Sequence, residues 1–153
     1  MSAETRLREL GITLPEPAQP RGLYTPAVCT GDLLFVSGQL PTRGGAVISP
    51  GKLGRDVTID QGQEAARQAA LNALAIVRQE LGTLDAVRRV VRMTVFVASA
   101  EGFVDQPQVA NGASQLLIDL FGDAGRHARV AVGAAELPAN APVEIELLVE
   151  VAP

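Results

Sequence analysis

Two hydrophobic periods run through this chain, and the switches between them mark its elements. Behind Thr58-Ile-Asp-Gln61, the residues Ala66, Ala70, Ala73, Leu74, Val77 and Leu81 recur every three to four positions, the spacing that collects side chains on one side of an α-helix. Thr58 and Gln61 have the form of a capping box, and Gly82 is placed to end the helix. A second helix is predicted from near Pro107, carrying Val109, Leu116, Leu117, Leu120 and Phe121 and stopping at Gly122. Period two takes over in Val143–Val151, where Val143, Ile145, Leu147, Val149 and Val151 oppose Glu144, Glu146 and Glu150.

The same reading predicts strands at Leu23–Val28 and Leu33–Ser37 around a Thr30-Gly31-Asp32 turn, and a short third strand at Ala46–Ser49 after Gly44-Gly45. A loop at Pro50–Arg55 follows. Strands are also expected at Val90–Ala98, with Val91, Met93, Val95 and Val97 pointing one way, and at Arg129–Ala134. Residues 2–10 form a short amphipathic helix with Leu7 and Leu10 on one side and Gly11 as its stop; Pro15, Pro17 and Pro20 then impose an extended leader. The order αβββαβαββ predicts an α+β fold, a sheet with its two main helices on one face. Residues 1–22 are read as N-terminal helix and leader, and residues 23–153 as a single domain. Because the strands are small or apolar on both sides, the uncovered face is expected to meet another subunit.

Charge and composition then remove function classes. The 153 residues suit one domain; the formal net charge is −4 and the pI about 5.0, and no basic cluster exceeds Arg88-Arg89 plus Arg92. That is a poor footprint for nucleic acid or an anionic membrane. With no Trp, one Tyr and four Phe, a base-stacking platform is not expected either. A single cysteine excludes an internal disulfide and suits a reducing compartment. The charged N-terminus lacks a signal core and no apolar run approaches a membrane span, so a soluble, cytoplasmic protein is expected.

Arg129 is the residue that demands chemistry. It lies between Ala128 and Val130 at the start of an otherwise apolar strand, and a buried guanidinium needs an anion. Glu144 or Glu146 of a neighbouring strand can supply it, or a ligand's carboxylate can. His127, the only histidine, excludes a multi-histidine metal site; it either faces the same cleft or hydrogen-bonds a nearby backbone group. Cys29 reads as a small core or interface residue, and Ser37 lacks the context of a nucleophile elbow.

With these elements placed, the chain resembles the RidA/YjgF family. The residues that carry the likeness are Leu23-Tyr24, Gly31-Asp-Leu-Leu-Phe-Val-Ser-Gly-Gln-Leu-Pro41, Val91-Arg-Met-Thr-Val-Phe-Val97, Ala128-Arg129, Leu137-Pro138 and Val143-Glu-Ile-Glu146. The resemblance implies a chorismate-mutase-like fold, a homotrimer with clefts between subunits, and hydrolysis of 2-imino or enamine acids to 2-oxo acids and ammonia. It implies no metal and no organic cofactor. It assigns the carboxylate clamp to Arg129 and proton transfer to Glu144, and it places Tyr24, Gly38, Asn111 and the backbone of Ala131 in the cleft. The leader and Gly125-Arg-His-Ala-Arg129 mark a divergent branch. Val130 stands where the deaminase branch carries Ser or Thr, and Ala131 where Cys is frequent.

Two further functions compete with the deaminase. One is a trimer that binds small carboxylates or partner proteins without hydrolysis, motivated by Val130 and the leader. The other is RNA cleavage, attributed to some relatives; the acidic balance, the single histidine and the scarcity of aromatics argue against it.

Overall fold

The computed structural model describes residues 1–153. Its elements are α1 (Ala3–Glu9), β1 (Ala27–Thr30), β2 (Leu33–Gln39), β3 (Thr42–Arg43), β4 (Ala46–Val47), α2 (Ile59–Leu81), β5 (Val87–Ala98), α3 (Gln106–Phe121), β6 (Ala128–Ala134) and β7 (Val143–Val151). Five strands form one sheet in the order β1-β2-β7-β5-β6, antiparallel except for the β5–β6 pair. α2 packs over β2 and β7, and α3 over β5 and β6, so both helices cover the same face. The α+β architecture is the expected one.

Capping decides where α2 begins. The Thr58 hydroxyl accepts from Gln61 N–H at 3.2 Å, and the Gln61 side chain accepts from Thr58 N–H at 3.0 Å. Gly82 closes the helix at φ 82°, a left-handed position where glycine carries no Cβ penalty. Between these caps the predicted one-sided stripe widens, because every residue from Gln68 to Val77 is buried. Small alanines allow this close cover: a Cβ on Gly112 of α3 would run into the Gln63 carbonyl of α2.

Several boundaries differ from the sequence-based expectation. The strand expected at Leu23–Val28 starts only at Ala27. Pro26 has no N–H to give to a ladder, although its carbonyl accepts from Ser37 N–H at 2.9 Å. The short strand at Ala46–Val47 belongs to a separate two-stranded hairpin with Thr42–Arg43, a strand not foreseen, turned by Gly44 and Gly45. β5 begins at Val87 and carries a bulge: Val90 pairs with Val149 and Arg92 with Leu148. The extra residue between them resets the alternation, so Val90 and not Val91 joins Met93, Val95 and Val97 in the core. Leu10 falls just beyond α1 and is 51% exposed, while Leu7 is buried.

The uncovered face of the sheet is apolar. Val28, Phe35, Val130 and Val132 are 51%, 45%, 46% and 40% exposed, and their cross-strand partners place them on that side with Phe96 and Leu148. Four large side chains on one uncovered sheet face form the kind of patch that marks an interaction surface.

α1 ties the N-terminal segment to this core. Ala3, Leu7 and Leu14 belong to the main hydrophobic cluster, and the Glu4 carboxylate accepts from Arg78 at 2.8 and 3.1 Å and from Leu84 N–H at 2.9 Å. Burial alone would raise the Glu4 pKa; the Arg78 and Leu84 hydrogen bonds outweigh it and hold the group below the ordinary value of 4.5. A carboxyl held below its unfolded pKa stabilises the fold above that value, and the contribution vanishes as pH falls through the folded pKa. Glu4→Gln is therefore expected to lower the unfolding free energy by roughly 1–2 kcal/mol at pH 7, the partial exposure of the pair keeping the effect modest. Urea melts of both proteins from pH 7 downward should show the gap closing below about pH 4.

Candidate functional site

The candidate residues fall into two groups, and the alternation of β-strand side chains keeps them apart. Arg129 pairs with Met93 across β5–β6 and so points to the helix-covered side of the sheet. Glu144 pairs with Phe96 and points to the uncovered side, on β7, with β5 between it and β6. The ion pair of Arg129 with Glu144 or Glu146, one of the alternatives open in the sequence, does not form. β6 is an edge strand hydrogen-bonded only to β5, so β7 is not its neighbour.

Arg129 instead reaches α3. One terminal nitrogen donates to Asn111 Oδ1 at 2.8 Å and Ser114 Oγ at 3.0 Å, and the other donates to the Pro107 carbonyl at 3.3 Å. Ser114 also lies 2.9 Å from His127 Nε2, and His127 Nδ1 lies 2.6 Å from the Gly125 carbonyl. The carbonyl can only accept, so Nδ1 carries a proton, and in the neutral ring Nε2 accepts from the Ser114 hydroxyl. His127 thus faces the Arg129 group and also bonds the backbone, uniting the two alternatives open in the sequence. All three Arg129 acceptors are neutral. The guanidinium is oriented, and its charge is not neutralised by any carboxylate of the chain.

Ser114 was not foreseen as part of this group. The signal was available: Asn111 and Ser114 stand three apart in a helix and share a face. Ala131, two residues beyond Arg129, keeps the same side of β6 and packs against the core.

The second group sits where β2 bulges. Val36 pairs with Leu147 but Gln39 with Ile145, so Ser37 and Gly38 together oppose one residue of β7. A Cβ on Gly38 would stand 2.6 Å from Glu144 Oε1 and 3.1 Å from its Cδ. Only glycine lets the carboxylate lie over the β2 backbone there. Burial first, and then the charge of Glu146, push the Glu144 pKa above 4.5. Tyr24 and Gly38 line one cavity of about 460 Å³ beside this carboxylate. Val130, where the resemblance flagged a change, is 46% exposed on the uncovered face, opposite in direction to Arg129. No group of three or more His, Cys, Asp or Glu side chains is arranged to hold a metal ion, and no helix is long and apolar enough to cross a membrane.

A family model described as "YjgF/chorismate mutase-like, putative endoribonuclease" matches residues 4–151. The chain belongs to the YjgF/chorismate mutase-like family. It is 48% identical over 145 residues to Protein TCP17 of Trypanosoma cruzi, covering 94% of this chain and 91% of that one. It is 30% identical over 138 residues to a Dermatophagoides farinae protein named 2-iminobutanoate/2-iminopropanoate deaminase, covering 90% and 93% of the two chains. A solved Agrobacterium tumefaciens protein of unknown function superimposes with a TM-score of 0.91 at 48% identity, covering 98% of this chain and 92% of that one.

Within this family frame the contact between Gly38 and Glu144 can be tested without an activity assay. Gly38→Ala is expected to drive the Glu144 carboxylate off the β2 backbone and into water, bringing its pKa back toward 4.5. Titration followed by NMR on the glutamate carboxyl carbons checks this; an unchanged raised pKa would mean that the contact does not set the burial.

Proposed function

We propose that this protein hydrolyses 2-imino acids to 2-oxo acids and ammonia, in clefts that pair Arg129 of one subunit with Glu144 of its neighbour in a homotrimer. The observation that carries the reading is the state of Arg129: a guanidinium fixed by Asn111, Ser114 and the Pro107 carbonyl, all neutral, and left with an unmatched positive charge. A planar anion is the partner such a fork accepts. The other half of the chemistry is Glu144, a carboxylate made more basic by burial.

Together they support a complete reaction. Arg129 holds the substrate carboxylate and so fixes the adjacent C=N carbon. Water attacks that carbon, and its proton passes to Glu144. Glu144 returns that proton to the imine nitrogen, giving a neutral carbinolamine; it then takes the hydroxyl proton and passes it to the amino nitrogen, the C–N bond breaks, and ammonia leaves with the electron pair while C=O forms. Water is the only co-reactant. A carboxyl whose pKa lies above the usual range is better matched to both proton steps near neutral pH. The trimer is supported by the apolar uncovered face, which a second copy would cover, and by the separation of the two groups on opposite sides of one sheet. The Dermatophagoides relative's name supports the same reaction class.

Arg129→Lys keeps the charge but loses the paired, coplanar donors, so binding of pyruvate or 2-oxobutyrate should weaken by about 1.5–3 kcal/mol per charged hydrogen bond removed; equal affinities by calorimetry would refute the clamp. Glu144→Gln should retain ligand binding and slow imine decay by about 10²–10⁴-fold, measured with an amino-acid oxidase generating imines in place. If the parent protein itself fails to accelerate their decay while binding the 2-oxo acids, the chain is a carboxylate-binding module and not a hydrolase.

A further inference from the structure

The cavity that Tyr24 and Gly38 share touches the Glu144 site only through Gly38 and is otherwise lined by residues outside it. Its walls are the proline leader, the end of β2, the β3–β4 hairpin and one residue of α2, and its volume is about 460 Å³. That is within the range of small-molecule sites, about 300–1,000 Å³. A two- or three-carbon imino acid whose reacting carbon lies at Gly38, the lining residue that Glu144 packs against, fills little of it.

The chemistry of the walls is specific. Asn72 is a scaffold: its amide nitrogen donates to the Leu40 and Thr42 carbonyls at 2.8 and 3.0 Å, and its oxygen accepts from Gln68 at 3.1 Å. Gln39 is only 8% exposed, and its amide nitrogen donates to the Ser37 carbonyl at 3.1 Å. Its Oε1 makes no hydrogen bond to the protein, and Gln39 is one of the residues lining the cavity, which leaves that oxygen as an acceptor open to a ligand. The Tyr24 hydroxyl accepts from Arg21 N–H at 3.4 Å, which leaves its own proton to donate. One acceptor and one donor therefore await a ligand. The charged residues lining the cavity are Glu16 and Arg21, one of each sign, so the walls carry no net charge to attract an ionic terminus.

We propose that this cavity is the subsite for the substrate's side chain and selects 2-imino acids whose side chain ends in an uncharged carboxamide. Such a group gives an N–H to Gln39 Oε1 and takes the Tyr24 proton on its carbonyl, satisfying both open positions at once. A hydrocarbon tail would displace water from both without replacing its hydrogen bonds, which is unfavourable. The leader, anchored by Leu14 in the core, becomes the specificity element. This assignment rests on the Arg129–Glu144 reading, which fixes the other end of the substrate.

The experiment titrates the full-length protein by calorimetry with pyruvate, to report the carboxylate site alone, and with L-alanine, L-norvaline, L-glutamine and L-glutamate as stable, substrate-shaped probes. The same series is run on Ala18→Phe, which adds a ring to the cavity wall from the exposed leader, with circular dichroism confirming its fold. L-Glutamine is expected to bind at least tenfold tighter than L-alanine, L-norvaline or L-glutamate, and Ala18→Phe to reduce the glutamine-to-pyruvate affinity ratio by tenfold or more. Pyruvate binding with a flat side-chain ranking, with norvaline or glutamate preferred, or with a ratio indifferent to Ala18→Phe, would overturn the subsite and leave the carboxylate site standing. Failure of pyruvate and all four amino acids to bind would overturn the carboxylate site, and the subsite with it.

Discussion

Successive side chains of a β-strand point to opposite faces, and this rule governs what Arg129 and Glu144 can do. Arg129 leaves β6 toward α3, and Glu144 leaves β7 toward the uncovered face. β5 lies between their strands. No rotamer brings the two groups together inside one chain. If they serve one reaction, a second copy must supply one of them, and the surface on which a copy would sit is the apolar face bearing Phe35, Val130 and Val132. Assembly and chemistry are then one requirement.

Each half is prepared by neutral or apolar surroundings and not by an opposite charge. Asn111 and Ser114 hold the guanidinium without discharging it, and His127 fixes the Ser114 hydroxyl by accepting its hydrogen bond. A carboxylate in their place would bind Arg129 well and compete with any ligand for it. Glu144 is treated in the converse way. Burial raises its proton affinity, and the missing Cβ of Gly38 gives it room to lie against backbone. Both arrangements forgo local stability, which the alanine-lined contact between α2 and α3 and the ion pair of α1 supply elsewhere.

The parts of the fold that are local in sequence were legible in it. The caps of α2, the alternation of β7 and the helix beginning near Pro107 all depend on neighbours a few residues apart. Long-range pairing was less accessible. β7 follows β6 in the chain yet inserts between β2 and β5, which removes the strand carboxylates from the alternatives that the sequence left open for Arg129. The bulge near Val91 arises from the register with β7 and leaves no mark in the β5 pattern, which reads as plain alternation. For the candidate site, Arg129, Asn111 and His127 came together as a group while Tyr24, Gly38 and Glu144 formed another. Composition cannot express that division, because it follows from strand direction.

Subunit mixing tests the shared cleft most directly. Arg129→Lys and Glu144→Gln proteins, each impaired alone, are unfolded together in equal amounts and refolded, and imine decay is compared with that of wild type. If every cleft takes its arginine from one subunit and its glutamate from the next, random assembly restores both native groups in about one quarter of the clefts, and activity should return to about one quarter of wild type. Activity that stays at the level of the separate variants would contradict the shared cleft and confine the chemistry to single chains.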